Sequence, residues 1–210
     1  MNIFITGIGT DVGKTIVSAI VVEALQADYW KPIQAGNLDW TDTHTVASLV
    51  SNKKSVFHPE AFRLKTPMSP HAAAEIEHVD INLKKIKRPK TKNRLVIEGA
   101  GGLLVPLNNQ NTIVDLIRPD DFVLVVSKHY LGSINHTLMT LEILKSRKLK
   151  NIKLIFKGIP DLSAESIIEK MSGITVIGLI DQEKQITPEM VSKYASQLKP
   201  ILKKLTDSQT

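Results

Sequence analysis

The sequence predicts an α/β fold in which a mostly parallel sheet carries helices on both faces. Two observations predict it. Six short apolar stretches, "NIFIT", "DYWKP", "RLVIEG", "FVLVVS", "IKLIF" and "TVIGLI", recur with helix-compatible segments between them. Such alternation is the pattern of repeated strand–helix–strand units. The first stretch also runs straight into "GIGTDVGKT", where three glycines precede Lys14 and Thr15. A strand, a glycine loop and a helix start, in that order, form a phosphate cradle, because free amides and the helix dipole both face the anion. The 210 residues suit one domain, spanning 1–210 and able to bury a core without staples.

Asn2 to Thr6 reads as a buried strand, and Lys14 to Ala27 as a helix rich in Ile, Val, Ala and Leu around most of its circumference. The loop between them makes the fold P-loop NTPase-like, with one departure from the common spacing. G-x-x-x-x-G-K-[ST] would place its first glycine at Ile8, and here Gly7 and Gly9 flank that position. Lys14 supplies a cation and Thr15 a hydroxyl for a metal. In an open parallel sheet the ligand lies beyond the C-terminal strand ends, so functional residues should follow strands. "WKPIQAG", "EGAGG" and "KHYLGSINH" do so after the second, third and fourth strands and can converge on the glycine loop.

Pro32 restricts Lys31 to extended backbone, so Lys31 stands at a strand end and points either into the crevice or back to solvent. Glu98 closes an apolar strand, and the small residues Gly99, Ala100, Gly101 and Gly102 follow it. A carboxylate there can hold Mg²⁺ beside phosphates. Asp42, before "THTVASLV", reads first as a helix cap. Ser69-Pro70 reads as an N-cap with proline in the first turn. No histidine has a partner at metal-ligand spacing, so none is assigned to catalysis.

Composition narrows the chemistry. There is no cysteine, which excludes disulfides, thiol nucleophiles and zinc–thiolate sites and suits a reducing compartment. The balance of 27 basic to 21 acidic residues gives +6, a charge that favours anionic ligands without demanding nucleic acid. The basic run "KKIKRPKTKNR", Lys84 to Arg94, lacks aromatics for base stacking and reads as a solvated helix end and loop. No apolar run reaches membrane-spanning length, and the chain enters its first strand at once, so no cleaved leader, no membrane partner and a cytoplasmic location are expected.

Taken together and in order, "TGIGTDVGKT", "KPIQAG", the Asp before the helix in "TDTHTVASL", "SPH", "VIEGAGG" and "LGSINH" resemble the dethiobiotin synthetase family over most of the chain. The resemblance implies an ATP- and Mg²⁺-dependent ligase of biotin synthesis. Its substrates would be 7,8-diaminopelargonate and CO₂ or bicarbonate, and its intermediates a carbamate and a carbamic–phosphoric anhydride. It implies Thr15, Asp42 and Glu98 as Mg²⁺ ligands and Lys14 and Lys31 as catalytic cations. Thr10, Asp11, Val12, Gly13, Ile16, Gly99, Ala100 and Gly101 would surround the nucleotide. Lys31, Ala35, Gly132 and Asn135 would stand on the substrate side, with the Asn135 segment supplied by the second subunit of a homodimer with shared active sites.

Three positions depart from the family pattern. Ala35 stands where a hydroxyl residue is common, Lys157 near the position of an adenine-reading asparagine, and Asp181 where a proline is expected. Lysine only donates hydrogen bonds, so ATP should be discriminated weakly from GTP or CTP. A rival reading is a P-loop ATPase switch of the partition or septum-positioning type, suggested by the lysine-rich amphipathic "EMVSKYASQLKPILKKL". Against it stand Gly9, at the position of that group's signature lysine, and Pro200, expected to interrupt a membrane-surface helix.

Overall fold

The structure is a computed structural model and describes residues 1–207. Among the described residues nine strands appear: β1 (Ile3–Gly7), β2 (Asp28–Trp30), β3 (Ile33–Ala35), β4 (Phe57–His58), β5 (Phe62–Leu64), β6 (Leu95–Glu98), β7 (Phe122–Lys128), β8 (Ile152–Lys157) and β9 (Val176–Ile180). The helices are α1 (Lys14–Leu25), α2 (Asp42–Leu49), α3 (Pro70–Ile76), α4 (Ser133–Ser146), α5 (Leu162–Ser172) and α6 (Pro188–Asp207). Seven strands form one parallel sheet in the order β4-β2-β6-β1-β7-β8-β9, and β3 pairs with β5 in a small parallel sheet beside it. All six expected strands are present. The additions, β3, β4 and β5, are two or three residues long, too short to show a periodicity.

The main sheet separates two apolar cores. One lies under α1 and α6 and contains Ile5, Val17, Val21, Tyr29, Val96, Tyr194 and Leu198. The other lies on the opposite face and takes Phe4, Trp30, Ile97, Leu141, Leu144 and Ile168. Helix α1 is wedged between the sheet and α6, which explains why it is apolar nearly all round. It ends at Leu25, two residues short of the expected Ala27, because Gln26 turns left-handed (φ 51°) to deliver the chain into β2.

The strand order reverses about β1. The chain places β2 and β6 on one side of β1, then crosses to β7 on the other. The C-terminal ends of β1, β2 and β6 therefore open into one crevice, the location expected for a ligand. Side-chain alternation then sorts their residues: Tyr29 and Val96 face the α1 core, whereas Trp30 and Ile97 face away. By the same period of two, Lys31 and Glu98 return to the α1 face.

Two expectations are corrected outside the crevice. Lys84 to Arg94 begins with a 3₁₀ turn (Leu83–Lys85), and its Arg88 side chain, 9% exposed, turns inward rather than into solvent. The guanidinium donates to both oxygens of buried Asp121 at 2.6 Å and to the Leu116 carbonyl at 2.9 Å. Helix α6 continues through Pro200 instead of breaking there. Its apolar stripe, Met190, Val191, Tyr194, Ala195, Leu198 and Leu202, packs into the α1 core, and this tertiary burial outweighs the lost backbone hydrogen bond.

Candidate active site

Between β1 and α1 the loop turns through Asp11 (φ 56°) and Gly13 (φ 98°). A side chain at Gly13 would collide with Lys157, whose Cδ lies 2.3 Å from where a Cβ would stand. The positive φ is what requires glycine there, since the flexible Lys157 stem could shift aside. Val12 is buried and packs beneath the loop, and Thr10, Asp11, Gly13, Lys14, Thr15 and Ile16 line a cavity of about 310 Å³ together with Lys31, Asp42, Glu98 and Gly101. Lys14 is nearly buried, and its ammonium donates to the Gly9 carbonyl at 2.8 Å. Burial, assisted by the nearby Lys31 charge, pushes its pKa down to about 8.

Glu98 is the hub. It is 1% exposed, and four side chains converge on it. Thr15 Oγ1 donates to Oε1 at 2.9 Å and Lys31 Nζ to the same oxygen at 3.1 Å. Ser18 Oγ and Tyr29 OH donate to Oε2 at 2.8 and 2.9 Å. Lys31, itself 5% exposed, donates also to the Asp42 carboxylate. Burial alone would lower the Lys31 pKa, but Glu98 and Asp42 outweigh it and raise the pKa above the ordinary lysine value. The Tyr29 pKa is raised well above 10 by burial and by Glu98, so its hydroxyl remains a donor.

Asp42 does not cap α2. Thr41 is the N-cap, in a reciprocal pair with His44: the His44 amide donates to Thr41 Oγ1 and the Thr41 amide to His44 Nδ1. Asp42 occupies the first helical position, where its carboxylate is free to meet Lys31. Ser69 sits at the N-cap of α3 with Pro70 first in the helix, but its hydroxyl engages His71 Nδ1 rather than a backbone amide.

A second cavity, about 410 Å³, adjoins the first and shares Thr10, Lys31, Asp42 and Gly101 with it. Ile33, Gln34, Ala35, Met68, Ser69, Ala100 and Val105 complete much of its wall. Gly99 lines neither cavity; its amide donates to the Ile5 carbonyl and fixes the turn after β6. Of the three segments expected to converge, "WKPIQAG" and "EGAGG" do. The third does not: Gly132 begins α4 and Asn135 is exposed, and neither lines these cavities. Another cavity, about 160 Å³ and walled by Trp30, Leu83, Ile86 and Arg118, has neither the loop nor the carboxylate pair.

Ser18 and Tyr29 were not singled out from the sequence, although both carried a signal. Ser18 lies three residues after Thr15, on the same helix face, and Tyr29 two before Lys31, on the same strand face. Lys157 is half-buried over Gly13, and its pKa is lowered by burial and by the Lys128 charge. It therefore flanks the phosphate loop.

A family described as an AAA domain matches residues 1–190. The chain is 56% identical over 196 residues to the ATP-dependent dethiobiotin synthetase BioD of Christiangramia forsetii, covering 93% of this chain and 95% of the relative. It is 50% identical to the protein of the same name from Cytophaga hutchinsonii, covering 93% and 95%. A ParA family ATPase from Chlorobium tepidum shares the fold, with a TM-score of 0.55, 12% identity and coverage of 93% and 97%. Sequence identity of one residue in two along nearly the whole of both chains goes far beyond a common fold: the chain belongs to the dethiobiotin synthetase family.

Proposed function

We propose that the chain converts 7,8-diaminopelargonate, CO₂ and ATP into dethiobiotin, ADP and phosphate, with Mg²⁺ as cofactor. The single observation that carries this reading is the position of Lys31 between the two cavities. On one side lie the phosphate loop and Glu98, on the other a partly apolar chamber with Ile33, Ala35, Met68 and Val105, suited to an aliphatic diamine. A buried cation at that boundary can accompany negative charge as a phosphoryl group passes from one cavity to the other.

One amine of the diamine adds to CO₂ and loses a proton, giving a carbamate. A carbamate oxygen attacks the γ-phosphorus, and the bond to ADP breaks. The second amine then attacks the anhydride carbonyl, loses a proton and expels phosphate, closing the ureido ring. Every charged oxygen in this sequence is an anion, and the loop amides, Lys14 and Lys31 are the donors that stabilise it. Thr15, Asp42 and Glu98 offer a hydroxyl and two carboxylates, an all-oxygen set that suits a hard cation. Among the described residues no group of three or more His, Cys, Asp and Glu could hold a metal unaided. This fits a Mg²⁺ completed by nucleotide phosphates, where it would neutralise phosphate charge. Residues 1–210 act as one domain on this reading, and Gly132 and Asn135 reach substrate from the partner of a homodimer.

The switch-type alternative loses its main support, since the amphipathic face of α6 is spent on the core. Among the described residues no helix is long and apolar enough to cross a membrane. Phosphate release from ATP tests the choice. Release that requires both the diamine and bicarbonate is expected; turnover indifferent to both would favour a switch.

A further inference from the structure

The two oxygens of Glu98 have different partners. Oε1 faces Thr15 and Lys31, groups that line the phosphate cavity. Oε2 faces Ser18 and Tyr29, both fully buried and outside the lining of either cavity. A carboxylate accepts through both oxygens and could turn its plane to offer either or both to a cation. Here one oxygen is saturated by hydroxyls that come from opposite sides of the core, one from α1 and one from β2. Neither element has freedom to follow a turning carboxylate, because α1 is packed on the sheet and β2 lies between β4 and β6.

We propose that Ser18 and Tyr29 are positioning residues that anchor Glu98 through Oε2 and so present Oε1 alone to Mg²⁺. This rests on the reading of Thr15, Asp42 and Glu98 as metal ligands. The anchoring makes Glu98 a one-oxygen ligand and leaves the remaining coordination positions to phosphate oxygens and water, as Mg²⁺ requires. It also explains why two hydroxyls are buried against a carboxylate on which Thr15 and Lys31 already converge. Outer partners of this kind hold a ligand's orientation, and their loss costs about tenfold to a hundredfold in metal affinity.

The test is Mn²⁺ binding, followed by electron paramagnetic resonance in the presence of a β,γ-imido ATP analogue. Tyr29→Phe, Ser18→Ala and the double variant are compared with the parent chain, and thermal melting monitors folding. About a tenfold weaker Mn²⁺ affinity is expected for each single variant. Nucleotide affinity without metal should be unchanged, and turnover should recover at high Mg²⁺, as a raised KM for the metal with kcat retained. Lower melting temperatures with unchanged Mn²⁺ affinity would overturn the proposal, since a purely structural pair behaves that way. Should the double variant fail to fold, Tyr29→Phe keeps the ring in place and decides alone. Glu98→Gln separates the two layers. If it weakens Mn²⁺ binding while the hydroxyl variants do not, positioning is wrong and the metal site stands; if it has no effect, both fall.

Discussion

At the scale of the residue, the site is governed by burial of like and unlike charges. Lys14 has no carboxylate in hydrogen-bond contact and its pKa falls to about 8, whereas Lys31 is locked to two carboxylates and its pKa rises. A bound polyphosphate stabilises the Lys14 ammonium and restores its proton. At about pH 9 the free protein has mostly lost that proton, so ADP binding should take up close to one proton and weaken as pH climbs; at about pH 7 uptake should be near zero. Calorimetry in buffers of different ionisation enthalpy measures this, and equal uptake at both pH values would show that Lys14 does not meet the phosphates. Lys157 has its stem over Gly13 of the phosphate loop, and by resemblance it stands near the position that reads adenine. With a donor-only group beside the loop, kcat/KM for ATP should exceed that for GTP or CTP by less than about a hundredfold. A larger preference would mean that other groups read adenine. Lys14, Thr15 and Glu98 were legible in the sequence because a glycine loop or a run of small residues marks each of them, whereas Lys31, which could equally have faced solvent, took its role from the resemblance. Asp42 was legible only through resemblance, since an acid before a helix is first a cap, and the neighbour that took the cap, Thr41, looks no different in sequence.

At the scale of the element, parity and helical spacing build the constellation. β2 and β6 each place alternate residues on the α1 face, and α1 answers with Thr15 and Ser18 one turn apart. The six expected strands, three-residue β2 among them, and α1 could be read from apolar runs alternating with helical segments, whereas β3, β4 and β5 exist only by pairing and left no such run to read. In the Lys84 to Arg94 run most lysines are exposed as charge density suggests, and Arg88 alone departs, finding a buried acid just before β7. Asp121→Ala should therefore destabilise by about 2–4 kcal/mol, because it leaves the largely buried Arg88 charge without its carboxylate, with only the Leu116 carbonyl to accept from it. Denaturant unfolding checks this, and a change under about 1 kcal/mol would place Arg88 in solvent after all.

At the scale of the whole molecule, the sheet order brings the phosphate loop, Lys31 and Glu98 together but leaves the Asn135 segment outside the cavities. Tyr130, Leu131, Ile134 and Met139 expose apolar surface around it, which suits a partner subunit. Mixed Lys31→Ala and Asn135→Ala protomers, each inactive alone, should regain part of the activity, and no recovery after verified subunit exchange would argue that each chain works unaided. The expectation of shared sites came from the family resemblance, since strand patterning reports one chain's core and is silent on a second copy. On the proposed reading, the phosphate site and the diamine chamber meet at Lys31 to make a ureido ring. Mass spectrometry of the product formed from ATP, Mg²⁺, 7,8-diaminopelargonate and isotopically labelled bicarbonate tests it most directly. The account predicts dethiobiotin carrying the label in its ureido carbonyl, one phosphate released with each ring; ATP consumed with no labelled ring formed would contradict it.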